Sequence, residues 1–301
     1  MRTLFHRIAA PLLAALCLSA PQTWAAATQC PAMFAQGAAP DVLQANIAQK
    51  TRPLCFESYS VLYSGIALAP LWSAEHLTRA NLVKAHALTR VDHFHEEPLL
   101  KDMPHATLAD FSRSGFDRGH MSPNGDMPDT TAQFQSFSLA NMVAQSPPNN
   151  RGVWAGIEAA ARDIASKDGE AYVVTGPIFE GSSLQKLKGH VLVPTFLFKA
   201  IYSPQRQLAG AWIVPNAPGS DYKVVTLAQL SQRAHIDPFP TLGAAIKAKA
   251  WALPAPTESH HVSVSNAKTN KVQPDQSTDQ SLTDWFQYEL MRMLKQINKA
   301  L

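Results

Sequence analysis

Through the middle of the chain, apolar residues gather in short β-rich runs cut by Gly, Pro or Asn, the pattern of strands. Tyr59-Ser60-Val61-Leu62-Tyr63 and Ala67-Leu68-Ala69-Pro70-Leu71-Trp72 flank a Ser-Gly turn and predict a β-hairpin. Ala171 to Thr175, Val191 to Ala200 and Ala209 to Pro215 are β-branched or aromatic runs with similar bounds and predict further strands. Val153 to Ser166 has a different period: Trp154, Ile157, Ala161 and Ile164 share one face of a helix. The order of strands, a helix and more strands lacks regular βα alternation. It favours an α+β domain with a mixed, largely antiparallel central sheet flanked by helices over a doubly wound parallel sheet.

The two ends read differently. Met1 to Ala27 opens with Arg2 and Arg7, continues through an apolar run of 13 residues from Ile8 to Ala20, and closes on Ala25-Ala26-Ala27. That is the charged start, apolar middle and small-residue end of an export signal. Spanning a bilayer takes about 20 apolar residues, so this run, which also holds Pro11, is too short for an anchor, and no membrane span is expected in the mature chain. Beyond Leu253 the composition turns to Pro, Ser, Thr, Asn and Gln, the mark of a flexible linker. Ser281 and Asp284 then form a capping box, and Leu282, Trp285, Phe286, Leu290, Met293, Ile297 and Leu301 repeat on one side of a helix. The expected organisation is a signal peptide (1–27), a folded domain (28–253), a linker (254–280) and a C-terminal amphipathic helix (281–301), read as docking on its own domain.

The 301 residues are 46% hydrophobic and 16% charged, enough apolar material for a real core and too little charge for a disordered polymer. The formal charge of +3 falls to +1 once Arg2 and Arg7 leave, which excludes a basic coat. A polyanion would have to be met by a local cluster of Arg and Lys. Cys17 leaves with the signal, so Cys30 and Cys55 remain as an even pair in an oxidising compartment, periplasmic or extracellular. The simplest inference is one disulfide; the alternative is two free thiols.

The chemistry is concentrated at Asp117-Arg118-Gly119-His120, where an acid, a guanidinium, a glycine and an imidazole are consecutive. A histidine is mostly neutral near pH 7 and suited to taking a proton from water, and an arginine beside it can grip a phosphate with two donors. Asn150 stands at the start of the predicted helix, with Glu158 and Arg162 along it. Taken singly, Asn150 reads as a helix cap and the pair four residues apart as a surface ion pair. Together they put an amide oxygen, a carboxylate and a guanidinium along one helix, and hard oxygen donors suit Mg²⁺, which keeps several of its waters.

The string Asp117-Arg118-Gly119-His120 with Pro123 and Asp126, then Asn141 and Gln145, then Asn150, Gly152, Trp154, Glu158 and Arg162, closely resembles the DNA/RNA non-specific endonucleases of the ββα-metal, or His-Me finger, class. Tyr59 through Leu77 resembles the family's opening hairpin and Arg90 its upstream arginine. Tyr172 to Pro177, Val193-Pro194-Thr195 with Lys199, and Val214-Pro215-Asn216 resemble its later core strands. The resemblance runs from about Cys55 to Phe239. It implies a ββα-metal site in which His120 is the general base and Asn150 the one direct protein ligand of a hydrated Mg²⁺, with Mn²⁺ as a substitute. It further implies that Glu158 orients the ion's water, that Asn141 supports the site, and that Arg90, Arg118 and Arg162 hold the scissile phosphate. DNA and RNA are the implied substrates, cut with little sequence preference to leave 5′-phosphates.

This chain departs from the family pattern at Ala144, usually proline, at Asn149, usually apolar, and at Arg151, often glutamine. The eight-residue step to Glu158 favours Asn150 over Asn149 as the metal ligand. Asp117 is expected to accept hydrogen bonds that hold Arg118. Two other readings stay open: a binding protein that keeps the fold without turnover, and a nuclease restrained by an inhibitor partner. A homodimer is equally undecided.

Overall fold

A computed structural model describes residues 30–257. The expected signal peptide, the expected C-terminal helix and all of the linker beyond Thr257 lie outside the described residues.

Seven strands form the central sheet. They are β1 (Thr51–Cys55), β2 (Ser60–Ser64), β3 (Ala69–Thr78), β6 (Glu170–Ile178), β7 (Phe196–Ser203), β8 (Leu208–Pro215) and β9 (Lys223–Val225). Their spatial order is β9-β8-β7-β6-β3-β2-β1, and every neighbouring pair is antiparallel. Between β3 and β6 the chain leaves the sheet and makes helix α1 (Arg79–His86), the short helix α2 (Leu108–Phe111), strand β4 (Asp117–His120), helix α3 (Thr130–Ser136), strand β5 (Met142–Gln145) and helix α4 (Ala155–Asp168). That excursion carries all the candidate chemistry. Helix α5 (Leu227–Ala234) follows β9, closed at its start by a Thr226–Gln229 capping box.

Period-two alternation along the strands separates two cores. Leu77, Val173, Leu197, Ile201, Trp212 and Val214 face Trp154, Ile157, Ala161 and Ile164 of the α4 region. Their alternates Trp72, Ala74, Val174, Phe198, Ala200 and Ile213 face Leu227 and Leu230 of α5 and Phe34 near the N-terminus. The sheet is therefore covered on both faces, and its central strands are buried almost throughout.

The predicted hairpin forms as β2 and β3, and the predicted helix forms as α4, starting two residues later than its periodicity suggests. The run from Val191 to Ala200 is not one strand. Val191–Leu192 pairs with Lys186–Leu187, and β7 begins only at Phe196, after Pro194, which has no N–H for a ladder. Cys30 and Cys55 are joined, with Cα atoms 5.8 Å apart, tying the N-terminal segment to edge strand β1. At the other end the chain stays packed through Thr257. Trp251 and Leu253 belong to the core, Trp212 Nε1 donates to the Pro254 carbonyl at 3.2 Å, and the Thr257 carbonyl lies so near Gly156 that a Cβ there would come within 2.7 Å of it.

Candidate active site

β4 and β5 pair antiparallel, with Asp117 opposite Gln145 and His120 opposite Met142, and the chain then runs through a π-helical turn (Asn150–Trp154) into α4. The result is a strand–strand–helix unit. Two contacts fix it. Gly119 lies against the Gln145 side chain, so closely that a Cβ would sit 2.0 Å from its Oε1 and 2.6 Å from its Cβ. Asn141, fully buried, accepts from the Ser122 N–H at 2.9 Å and donates to the carbonyls of Ser122 at 2.8 Å and Ser136 at 3.0 Å. The segment just past His120 is thereby clamped.

A cleft of about 1310 Å³ opens over this unit, lined in part by Arg90, Arg118, His120, Asn150, Glu158 and Arg162. Six of the seven site residues expected from the sequence thus meet in one concavity. The seventh, Asn141, lies behind it.

His120 is buried between aromatic rings, with Phe137 edge-on at 5.0 Å and Phe94 at 5.7 Å. Its Nε2 has no hydrogen-bond partner. Burial, reinforced by the charges of Arg90 and Arg118, pushes the imidazole down to about 3, so the ring is neutral throughout the physiological range. The Arg118 guanidinium lies 3.9 Å from the centroid of Phe94, and burial lowers its pKa somewhat. Arg90 lies over Phe137 at 5.2 Å and donates to Asp92 at 2.6 Å.

The two neighbouring asparagines are separated clearly. Asn149 is buried, accepts from Gln145 Nε2 at 2.8 Å and donates to the Pro215 carbonyl at 2.9 Å, so both ends of its amide are engaged in the framework. Asn150 lines the cleft and donates through Nδ2 to Asp117 Oδ2 at 2.9 Å. Asp117 does not hold Arg118. Its two oxygens accept a bidentate pair from Arg151 at 3.0 and 2.7 Å, and one of them also takes the Asn150 amide. The reason is the pleat: adjacent residues on β4 point to opposite sides, and only Asp117 faces the π-helical turn.

Arg162 is not paired with Glu158 one helical turn away. It donates to the buried Asp126 at 2.9 Å. Burial pulls the Arg162 pKa down, but Asp126 and Glu158 outweigh it, and the guanidinium stays charged. Burial raises Glu158, an effect partly offset by Lys199 and Arg162. Beneath this layer lies a residue that sequence reasoning missed, Glu75 of β3. It is fully buried, neither oxygen has a hydrogen bond, and Lys199 Nζ is 4.0 Å away. Burial, then Asp126, push its pKa well above the usual carboxylate range. Lys199 itself donates to Thr175 at 2.7 Å across the β6–β7 ladder. The signal was available: a carboxylate inside an otherwise buried strand needs a partner.

The donor set bears on a metal. Among the described residues no three His, Cys, Asp or Glu side chains cluster as a metal-binding group. What the cleft offers is one amide oxygen from Asn150 and one carboxylate from Glu158, which fits a hard divalent cation that keeps most of its water.

The pattern of the DNA/RNA non-specific endonucleases matches residues 40–244. Nuclease C1 of Cunninghamella echinulata var. echinulata is 40% identical over 176 residues, covering 53% of this chain and 69% of that protein. The mitochondrial nuclease EXOG of Danio rerio is 30% identical over 208 residues, covering 62% of this chain and 60% of that protein, so the chain spans about three-fifths of that relative's length. In three dimensions the chain is similar to a chain in a crystal structure of an EndoG/EndoGI complex, with a TM-score of 0.57, 24% identity, and coverage of 61% of this chain and 84% of that one, a likeness of fold.

Proposed function

The chain belongs to the DNA/RNA non-specific endonuclease family, and from that premise we propose that it is an exported, Mg²⁺-dependent endonuclease that hydrolyses DNA and RNA phosphodiesters with little sequence preference. One observation carries the reading: a buried, neutral imidazole shares a cleft with five arginines, an amide oxygen and a carboxylate.

His120 takes the proton of the attacking water: its ring is neutral and its Nε2 has no other hydrogen-bond partner among the described residues. Arg118 and Arg162 grip the non-bridging oxygens of the scissile phosphate and stabilise the charge that grows on them; Arg90 adds to that field from the rim. Asn150 would hold the cation through its amide oxygen, and Glu158 would orient water beside it. When bound, the divalent ion supplies positive charge for the phosphate and for the departing 3′ oxygen. The water's oxygen bonds to phosphorus, the bond to the 3′ oxygen breaks and that oxygen takes a proton from solvent water, leaving a 5′-phosphate and a 3′-hydroxyl; the proton on His120 returns to solvent. These groups touch only backbone, so the sequence of bases goes unread.

Export is supported by the Met1 to Ala27 pattern and by the Cys30–Cys55 disulfide, a bond that persists in oxidising compartments. Among the described residues no helix is long and apolar enough to cross a membrane. The test is incubation with plasmid DNA and with RNA, in Mg²⁺ or EDTA, beside His120→Ala. Cleavage of both polymers that needs the ion and falls about 10²- to 10⁴-fold in the variant is expected; a folded His120→Ala protein with unchanged turnover would falsify the assignment.

A further inference from the structure

At about 1310 Å³ the cleft exceeds the roughly 300–1,000 Å³ that encloses a drug-sized ligand, so it has room beyond a single phosphodiester. One wall is formed by α2 and the loop that follows it, up to Phe116. The arginines on its surface divide into two sets. Arg90, Arg151 and Arg162 each pair with a carboxylate, of Asp92, Asp117 and Asp126 respectively. Arg118 and Arg113 have no ion pair among the described residues, and Arg118 sits against Phe94 beside His120. Arg113 is different: it is exposed, it lies on the α2 wall, and its backbone is left-handed, with φ of 54°. Glycine takes that conformation without cost, so the backbone at this position tolerates replacement by glycine.

Arg113 is also set apart from the reacting centre. It precedes β4, whose four residues from Asp117 to His120 span about 10 Å at the usual rise per residue. Arg113 thus enters the cleft from the α2 wall, whereas Arg118 and His120 enter it from β4. An unpaired, exposed, forked cation on the wall of a cleft is matched to a phosphodiester oxygen pair.

We propose that Arg113 forms a second phosphate subsite, gripping a backbone phosphate that flanks the one being cut. The proposal rests on the reading that the cleft holds a nucleic-acid strand. It makes the enzyme favour polymers over the shortest substrates, because a dinucleotide has no flanking phosphate to offer.

The experiment uses the full mature chain and Arg113→Gly, in which glycine accepts the left-handed backbone and so preserves the fold, with Arg113→Lys as the charge-retaining comparison. KM is measured for a 20-mer and for a dinucleotide. In a His120→Ala background, Kd for the fluorescent 20-mer is measured across a salt series. Loss of one phosphate contact should raise the 20-mer KM and Kd about tenfold in Arg113→Gly, erode its advantage over the dinucleotide, and reduce the slope of log Kd against log salt by about one. Arg113→Lys should keep the salt slope and recover only part of the affinity. A merely structural arginine would leave the slope unchanged, and an unchanged slope and KM ratio overturn the subsite while leaving the nuclease reading intact. If the parent chain neither cleaves nor binds the 20-mer, both readings fall together.

Discussion

The Asn150 side-chain amide donates to the Asp117 carboxylate at 2.9 Å, across the gap between the first strand of the strand–strand–helix unit and its helical turn. A carboxylate has only lone pairs to offer, so the nitrogen of Asn150 must face it and the oxygen is the end left for the cleft. The same carboxylate takes both donors of Arg151, which fixes it in turn. A residue that touches no substrate thus decides which end of the amide is presented.

If that orientation matters, Asp117→Ala should weaken divalent-ion binding about 10- to 100-fold, as loss of an outer partner of a metal ligand does. The 20-mer affinity measured without metal should change less. Calorimetric titration of Mg²⁺ or Mn²⁺ into the variant is the check, and an affinity equal to that of the parent would remove Asp117 from this role.

The acid side of the stability profile follows from two imidazoles, His120 buried and His95 half-buried. Burial holds His120 down to about 3 and His95 down to about 4; His95 also stacks on Phe134 at 4.4 Å. In the unfolded chain both take up a proton near pH 6.5, and in the folded chain neither does until far lower. Between those values the unfolded state binds more protons, so stability falls as pH falls from about 6.5 towards 4. The raised carboxyls of Glu75 and Glu158 act oppositely, losing stability as pH rises through their folded values. Comparing the parent with His95→Gln cancels those carboxyls. The variant's melting temperature should decline less between pH 7 and pH 5, and parallel declines would show that His95 does not contribute.

Much of this architecture was legible in the chain, and the parts that were not share a cause. β-Branched and aromatic runs located β3, β6 and β8 because both of their faces are buried, which makes the apolar run nearly continuous. The Asp117-Arg118-Gly119-His120 cluster stood out by its density of chemistry, and it lies where the cleft opens. The partners of its charges could not be read, because they are set by long-range packing. Arg162 ignores Glu158, four residues away, for Asp126, which is 36 residues away, and Asp117 reaches 34 residues to Arg151. The tight pairing of Asn149 with Gln145 and Pro215 is likewise visible only once β5 lies beside β8.

The buried pair of Glu75 and Lys199 supports the site from beneath, and its energetics should be lopsided. Each side chain is almost wholly enclosed, and they stand 4.0 Å apart. Removing Lys199 takes away the cation that faces the raised Glu75 carboxyl, whereas removing both groups leaves neither to be desolvated and costs less than the sum of the two. Lys199→Met should therefore destabilise strongly in urea, and Glu75→Gln combined with Lys199→Met should recover a large part of the loss. Simple additivity of the two single changes would show that the pair is not energetically coupled.

Gly119 offers the sharpest test of how closely the catalytic strand is fitted to its neighbour. A methyl group there would lie 2.0 Å from Gln145 Oε1 and 2.6 Å from its Cβ, distances no relaxed contact shows. Gln145 cannot swing aside cheaply, because it is buried and its Nε2 donates to Asn149 at 2.8 Å. The added methyl must then push β4 away from β5, and with it His120, which sits opposite Met142 on the same ladder. Overpacking of this kind costs about 1–3 kcal/mol, and a shift of the base by a fraction of an ångström to an ångström costs rate as well, by up to about 10²-fold. Gly119→Ala should lower both the melting temperature and the turnover number. The double variant Gly119→Ala, Gln145→Gly, which removes the Gln145 Cβ as well as its amide, should recover part of the turnover; failure to recover any would mean that the loss does not arise from this contact.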